Sequence, residues 1–398
     1  MLIPWETIKK SNNAKIFLIL RFIGSMWFVE AVWYFYWGRF LSYTQVGLAF
    51  SWLTIVGMIA EIPTGYFADK WGRKLSVVAG NLLLGLGGLL AASAVNGWYL
   101  IAGTTIMSVG RAFISGALEA LVYDDLKRVK EAHNYDKLIA FGIQVAFAGF
   151  MLAVPLGGFL YQWKFRLPNI LEAIAGFVAV GISLLLREVK QTEDDERELG
   201  VMVGLKELWL PKLRPYIIPS FVAMTVFLLY DWGLSKPAMA VNFGLDSRGQ
   251  SIAYTIFALI NILFVGLMPR ARKALGDYLG IRLLNIFVGV AFLLATLKLG
   301  IWGLIVMSVI ELVGNMADPW VSAVINREVG SKFRATTLSS FALITKIPHL
   351  FVNILAGSFI DGVGINTFHL WLGAIILMLT VATTNFFYLG KRECRTTI

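Results

Sequence analysis

Several ionisable side chains of this chain stand inside stretches that are otherwise apolar, and they are where its chemistry must lie. Glu311, Asn315 and Asp318 are spaced i, i+4, i+7. On a helix that spacing puts all three in one narrow stripe, as expected of the lining of a polar cavity. Lys346 and His349 are spaced i, i+3 around Pro348, and Lys346 is expected to pair with Asp318 or Glu311. Glu30 and Asp231 are each set among aromatics: Trp27, Phe28, Trp33 and Tyr34 for the first, Tyr230 and Trp232 for the second. An acid among aromatic faces suits a cationic or amphiphilic molecule, although Trp33 to Trp37 fit an interfacial belt equally well. Arg111 needs an acidic partner, and Glu30 or Glu119 would serve. Arg21 lies half a turn round from Glu30 and near a helix end, so it is assigned to the headgroups. An ionisable group in hydrocarbon costs several kcal/mol unless paired or watered, so each marks a candidate site. The chemistry of such a set is ligand binding and proton exchange, with His349 open to proton handling or to packing.

The elements that position these residues are long apolar runs. The chain has 398 residues, 58% of them hydrophobic and 15% charged, and a mean hydropathy of +0.71. A soluble domain has no means of hiding so much apolar surface. A span needs about 20 apolar residues. Twelve runs qualify: 14–37, 43–64, 75–95, 98–121, 138–160, 167–186, 216–237, 251–268, 283–299, 301–324, 336–360 and 366–389. The formal charge of +10 follows from excess Lys and Arg in inner loops rather than from a nucleic-acid partner. With the N-terminus inside, only Arg39, Lys164, Arg166, Lys236, Arg248 and Lys298 fall in outer loops. Both termini are therefore expected in the cytoplasm, and the first run is read as a span rather than a removable signal. The lone cysteine, Cys394, excludes an internal disulfide. No phosphate loop, metal motif or nucleophile elbow is present, so no cofactor is expected and the chain is not read as an enzyme.

Between the second and third runs stands Glu61-Ile-Pro-Thr-Gly65-Tyr-Phe-Ala-Asp69-Lys-Trp-Gly72-Arg73-Lys74. This Gly-x-x-x-Asp-x-x-Gly-Arg-Lys stretch resembles the signature loop of the major facilitator superfamily of secondary transporters. Ser115 to Asp124 resembles a subgroup of its bacterial members, although Arg111 and Gly116 are five apart where many drug-efflux relatives have a spacing of four. Gly149, Pro155, Gly157 and Gly158 loosely resemble a motif of its proton antiporters, and plain helix packing explains them as well. The resemblance implies that the first and seventh spans line a central cavity, with Glu30 and Asp231 facing one another across it. It also implies a cytoplasmic latch of Gly65, Asp69, Gly72, Arg73, Lys74 and Asp124. Asp69 is placed near the start of the third helix, where the dipole favours it, and Arg73 within reach of Asp124 or Asp125.

The halves repeat at an offset near 200: Ser108-Val109 with Ser308-Val309, Gly157 with Gly357, and Asp69-x-x-Gly72-x-Lys74 with Asp277-x-x-Gly280-x-Arg282. The expected fold is an all-α membrane protein of twelve transmembrane helices in two pseudo-symmetric six-helix bundles. Residues 1–186 form the first bundle, 187–214 a cytoplasmic linker centred on Glu193 to Glu198, and 215–398 the second bundle. A short amphipathic helix is expected near Leu205. The expected function is proton-coupled export of a small amphiphilic molecule or drug by alternating access. The alternative is proton-coupled uptake of a small polar or anionic solute, held by Arg111 and Lys346. The expected partners are that small molecule, protons and the bilayer of a bacterial inner membrane, with the protein a monomer.

Overall fold

Backbone groups in hydrocarbon have no water to bond, so a spanning chain must satisfy them within helices. The computed structural model describes residues 5–189 and 201–396 and is helical almost throughout; the acidic run Glu193 to Glu198 lies outside the described residues. The first half runs α1 (Trp5–Lys10), α2 (Asn12–Gly24), α3 (Trp33–Trp37), α4 (Tyr43–Trp71), α5 (Arg73–Ala92), α6 (Gly97–Ile114), α7 (Ala117–Arg128), α8 (Tyr135–Trp163) and α9 (Leu167–Ser183). The second runs α10 (Val201–Leu208), α11 (Arg214–Asp231), α12 (Ser235–Asn242), α13 (Ser247–Phe264), α14 (Met268–Leu294), α15 (Gly303–Glu328), α16 (Ser331–Val363) and α17 (Ile365–Thr396). Among the described residues, eight helical stretches are long and apolar enough to cross a bilayer alone, and α11 with α12 makes a ninth, bent by 62°. The broken pair α2 and α3, the shorter α9, and α13 bring the expected spans to twelve.

By packing, the chain gathers into two compact units. The first holds Met1–Leu41, Ala49–Asp194 and Ser247–Thr255; the second holds Ser42–Leu48, Asp195–Asp246 and Ile256–Ile398. Each unit thus takes in one short piece from the other half of the sequence. In the second unit, the carboxylate of Asp361 on α16 caps the start of α4. It accepts the Thr44 amide at 2.8 Å, the Thr44 hydroxyl at 2.6 Å and the Tyr43 amide at 3.3 Å, which satisfies N–H groups that a helix start leaves open.

Three expected spans are not single helices. The fourth divides at Ser115-Gly116, where Gly116 has φ of +73°, a backbone state that costs glycine little. The seventh bends between α11 and α12. The first is interrupted over residues 25–32, which carry only turns. There Trp27 donates its amide to Ser25 at 2.9 Å, Phe28 to Met26 at 3.0 Å and Glu30 to Trp27 at 3.2 Å. These are two- and three-residue steps; helical pairing resumes with Trp33 to Val29 at 2.8 Å. The interruption rests on α8. A β-carbon at Gly149 would collide with the Phe22 carbonyl oxygen, and one at Gly157 with that of Phe28. Close backbone contact is thus the work of the glycines in the fifth span.

At the end of the first unit that holds α1, the carboxylate of Glu131 gathers the Lys10 ammonium at 2.5 Å, the Asn134 amide at 2.9 Å and the Thr7 hydroxyl at 3.0 Å. This ties α1 to the turn after α7. Bonds from Lys10, then Asn134 and Thr7, hold the Glu131 carboxyl down at about 2. A carboxyl depressed on folding stabilises above its unfolded value, roughly 4.3, and that contribution is lost as pH falls toward about 2. Glu131→Gln is therefore expected to lower the melting temperature at neutral pH. The gap to the parent should close on acidification from about pH 4.3 downward, as thermal melts at stepped pH would record.

Candidate functional site

The bend in the seventh span creates the clearest site. Helix α11 ends at Asp231, three residues turn, and α12 brings Lys236 back toward it. The Lys236 ammonium lies 2.7 Å from Asp231 Oδ1 and 2.5 Å from Glu311 Oε1 on α15. Lys236 is 7% exposed and Glu311 4%. Lys236 is thus no outer-loop residue, and the charge meeting Glu311 is Lys236 rather than Lys346. Two carboxylates and one ammonium carry a net charge of −1 when all are ionised, which a low-dielectric interior disfavours. Next to it, the Ser235 hydroxyl and His369 Nε2 on α17 are 3.0 Å apart, with His369 fully buried. Tyr230, also fully buried, packs edge-on against Phe292.

The rest of the expected stripe grades outward. Asn315 donates to the Glu311 carbonyl at 2.8 Å, and Asp318 is exposed. Lys346 is exposed on α16, and the side chain of His349 is outside the described residues.

In the first unit Glu30 is half-buried within the interruption at 25–32. Glu119, in the first turn of α7, pairs with Arg21 at 3.5 Å. Of the two partners open to Arg111, Glu119 is thus engaged by Arg21. Arg111 instead lines a small pocket with Trp27, Asn81 and Glu172. The aromatics from Trp33 onward do not form a uniform interfacial belt. Tyr36 is buried and donates to the Ala91 carbonyl at 2.7 Å, and Trp37 stacks on Phe50 at 5.3 Å.

At the signature loop, α4 continues to Trp71 and α5 begins at Arg73. Asp69 therefore sits in the last turn of α4, not at the start of the next helix, and the dipole there does not favour an acid. Glu188 fills that position: its carboxylate accepts the amides of Arg73 at 3.2 Å and Lys74 at 2.9 Å. Gly72, with φ of +105°, makes the turn between the helices, and Gly65 and Asp69 are exposed. Arg73 pairs with Asp124. The second unit reverses these charges: Asp277 from the repeated loop receives Arg272 at 2.7 Å, Arg327 of α15 at 2.6 Å and the Trp320 indole at 2.9 Å.

Lys236, Glu172, Glu188 and His369 were not among the residues expected from sequence. Glu172 and His369 carried a signal, since each is an ionisable residue inside an expected span. Lys236 and Glu188 stood at run edges, where hydropathy gives no instruction.

Comparison with known proteins bears on what this arrangement serves. The family model described as Major Facilitator Superfamily matches residues 2–352. Multidrug resistance protein 1 of Bacillus subtilis (strain 168) is 24% identical over 353 residues, covering 86% of this chain and 87% of that protein. Quinolone resistance protein NorA of Staphylococcus aureus is 22% identical, over 81% of this chain and 82% of that protein. Among solved structures, the nucleoside transporter NupG superposes with a TM-score of 0.76 at 16% identity, covering 94% of this chain and 99% of that one. The D-xylose-proton symporter superposes with a TM-score of 0.64 at 15% identity, over 93% and 95%. These two likenesses speak for the fold.

Proposed function

The chain belongs to the Major Facilitator Superfamily, and from that premise we propose that it is a proton-driven exporter of small amphiphilic molecules, working by alternating access. It is a multi-pass membrane transporter and not an enzyme. The observation that carries the proton part is the cluster of the buried Lys236 and Glu311 with the half-buried Asp231. One proton takes this group of three charges from a net −1 to neutral, and a change of charge inside the span is what a carrier that loads on one side and unloads on the other can use. In this reading the paired half-helices of the seventh span set the site, as discontinuous helices do in transporters. Export of drug-like compounds is supported by the names of the relatives, which are resistance proteins. Glu30 and the aromatics around it are the ligand contacts of the first unit, and Asn315, Asp318, Lys346 and His349 lie along the substrate route. Arg73 with Asp124, aided by Gly65, Asp69, Gly72 and Lys74, acts as the inner latch. The protein works as a monomer in a bacterial inner membrane with both termini in the cytoplasm.

Everted vesicles acidified by respiration and loaded with a pH-sensitive dye test the proposal. Lipophilic cations and antibiotics, added singly, are expected to release protons through the parent protein. Asp231→Asn and Glu311→Gln should each reduce that release to background. Full release in both variants would remove the cluster from the mechanism, and silence of the parent across the panel would remove the multidrug reading.

A further inference from the structure

A second acid, partly buried, belongs to the first unit and stands beside the interrupted span. Glu172 lies near the start of α9 (Leu167–Ser183). Its carboxylate accepts the amide of Val29, a residue in the non-helical segment 25–32. The other oxygen, Oε2, is buried with no hydrogen-bond partner among the described residues. A polar atom left so in a low-dielectric interior is costly, more so if charged, so the arrangement calls for a partner or a proton.

The pocket beside it narrows the identity of that partner. It is lined by Ile23, Met26 and Trp27 from the first span, Asn81 from α5, Arg111 from α6 and Glu172 itself. The cavity measures about 40 Å³. A water occupies about 30 Å³, whereas ligand pockets run from about 300 Å³ upward. A substrate does not fit, but a proton with a water to carry it does. Arg111 is the charged group that acts on Glu172; the facing groups of α5 and of the broken span are uncharged, and Glu30 does not line the pocket.

We propose that Glu172 is a proton-binding site of the transport cycle, and that its charge governs the interrupted segment through the Val29 amide. In the loaded state Oε2 carries the proton, the carboxyl is neutral, and the O–H can donate to water in the pocket. On unloading, the O–H bond breaks, the proton passes to water in the pocket, and the electron pair remains on the carboxylate, offset by the Arg111 guanidinium. A carboxylate accepts an amide hydrogen bond roughly twice as strongly as a neutral acid does. Unloading therefore tightens the hold on Val29, and loading relaxes it. Proton binding stands by itself, whereas its use in a cycle rests on the export reading above.

Infrared difference spectra of the full chain in lipid nanodiscs, taken between acidic and alkaline buffer, test the binding. The protonated-carboxyl region of the parent is expected to lose one component in Glu172→Gln, whose amide oxygen still accepts from Val29 and so preserves the fold, while the component from Asp231 and Glu311 remains. In Arg111→Gln the Glu172 component should survive to more alkaline pH, because the cation that supports the carboxylate is gone. An unchanged band in Glu172→Gln, or one unmoved in Arg111→Gln, overturns the proposal. Proton release in everted vesicles tests the coupling. Glu172→Gln should lower it at least tenfold while ethidium binding persists, and Glu172→Asp should restore part of it. Parent-level release in Glu172→Gln would refute the coupling. If the parent itself releases nothing, the export reading fails while the infrared band still decides the site.

Discussion

Lys236→Met is expected to be the most damaging single substitution in the second unit. It leaves the buried Glu311 and the half-buried Asp231 with no counter-charge, where Lys236 now stands within 2.5 Å and 2.7 Å of them. Breaking one side of a buried ion pair costs about 3–5 kcal/mol, a large part of the margin of most folded proteins. Thermal unfolding in detergent should shift well below that of the parent, and transport should disappear. The triple variant Lys236→Met, Asp231→Asn, Glu311→Gln separates the two effects. With no unpaired charge, most of its stability is expected to return, while transport stays absent because nothing carries the proton. If the triple variant still moved protons, the cluster would be structural only. If Lys236→Met melted like the parent, the pairing itself would be in doubt.

The second large effect is expected at Gly157. Any side chain there meets the Phe28 carbonyl, a backbone atom with no rotamer to escape into. Overpacking costs typically 1–3 kcal/mol and more where nothing can yield. Gly157→Val should therefore reduce the folded protein recovered from membranes severalfold, with Gly157→Ala intermediate. Gly181→Ala on α9 provides the comparison, since a β-carbon there meets nothing within 4 Å. Equal recovery of all three by fluorescence-detected size exclusion would remove the argument that α8 holds the interruption of the first span.

Much of this architecture is legible in the sequence because lipid is an exacting solvent. Twelve apolar runs, a short basic loop after the second and a repeat near 200 residues are enough to expect the family fold. The interruptions are harder to read. The segment 25–32 contains no proline and follows only a Gly24-Ser25 pair; its cause lies in α8, more than a hundred residues later, where Gly149 and Gly157 admit the chain. Hydropathy ends near residue 64 while α4 continues to Trp71, so the sequence alone does not reveal that Asp69 belongs to α4. The place of Lys236 is hidden for a related reason. Five residues beyond Asp231 in an unbroken helix, it would point elsewhere; the 62° bend brings the two together. The Arg73–Asp124 contact needed no such bend, since both groups lie at adjacent helix ends.

The two packing units also bear on how such proteins can be recombined. A gene cut at its midpoint yields fragments that do not match the units, because Ser42–Leu48 packs with the second and Ser247–Thr255 with the first. The bond between Thr44 and Asp361 joins residues 317 positions apart. A chimera that takes its first half from one relative and its second half from another therefore inherits the α4 cap as two unmatched pieces. Exchanging the short segments along with the halves would keep each cap with its helix, and breeding experiments on this scaffold should place their crossovers accordingly.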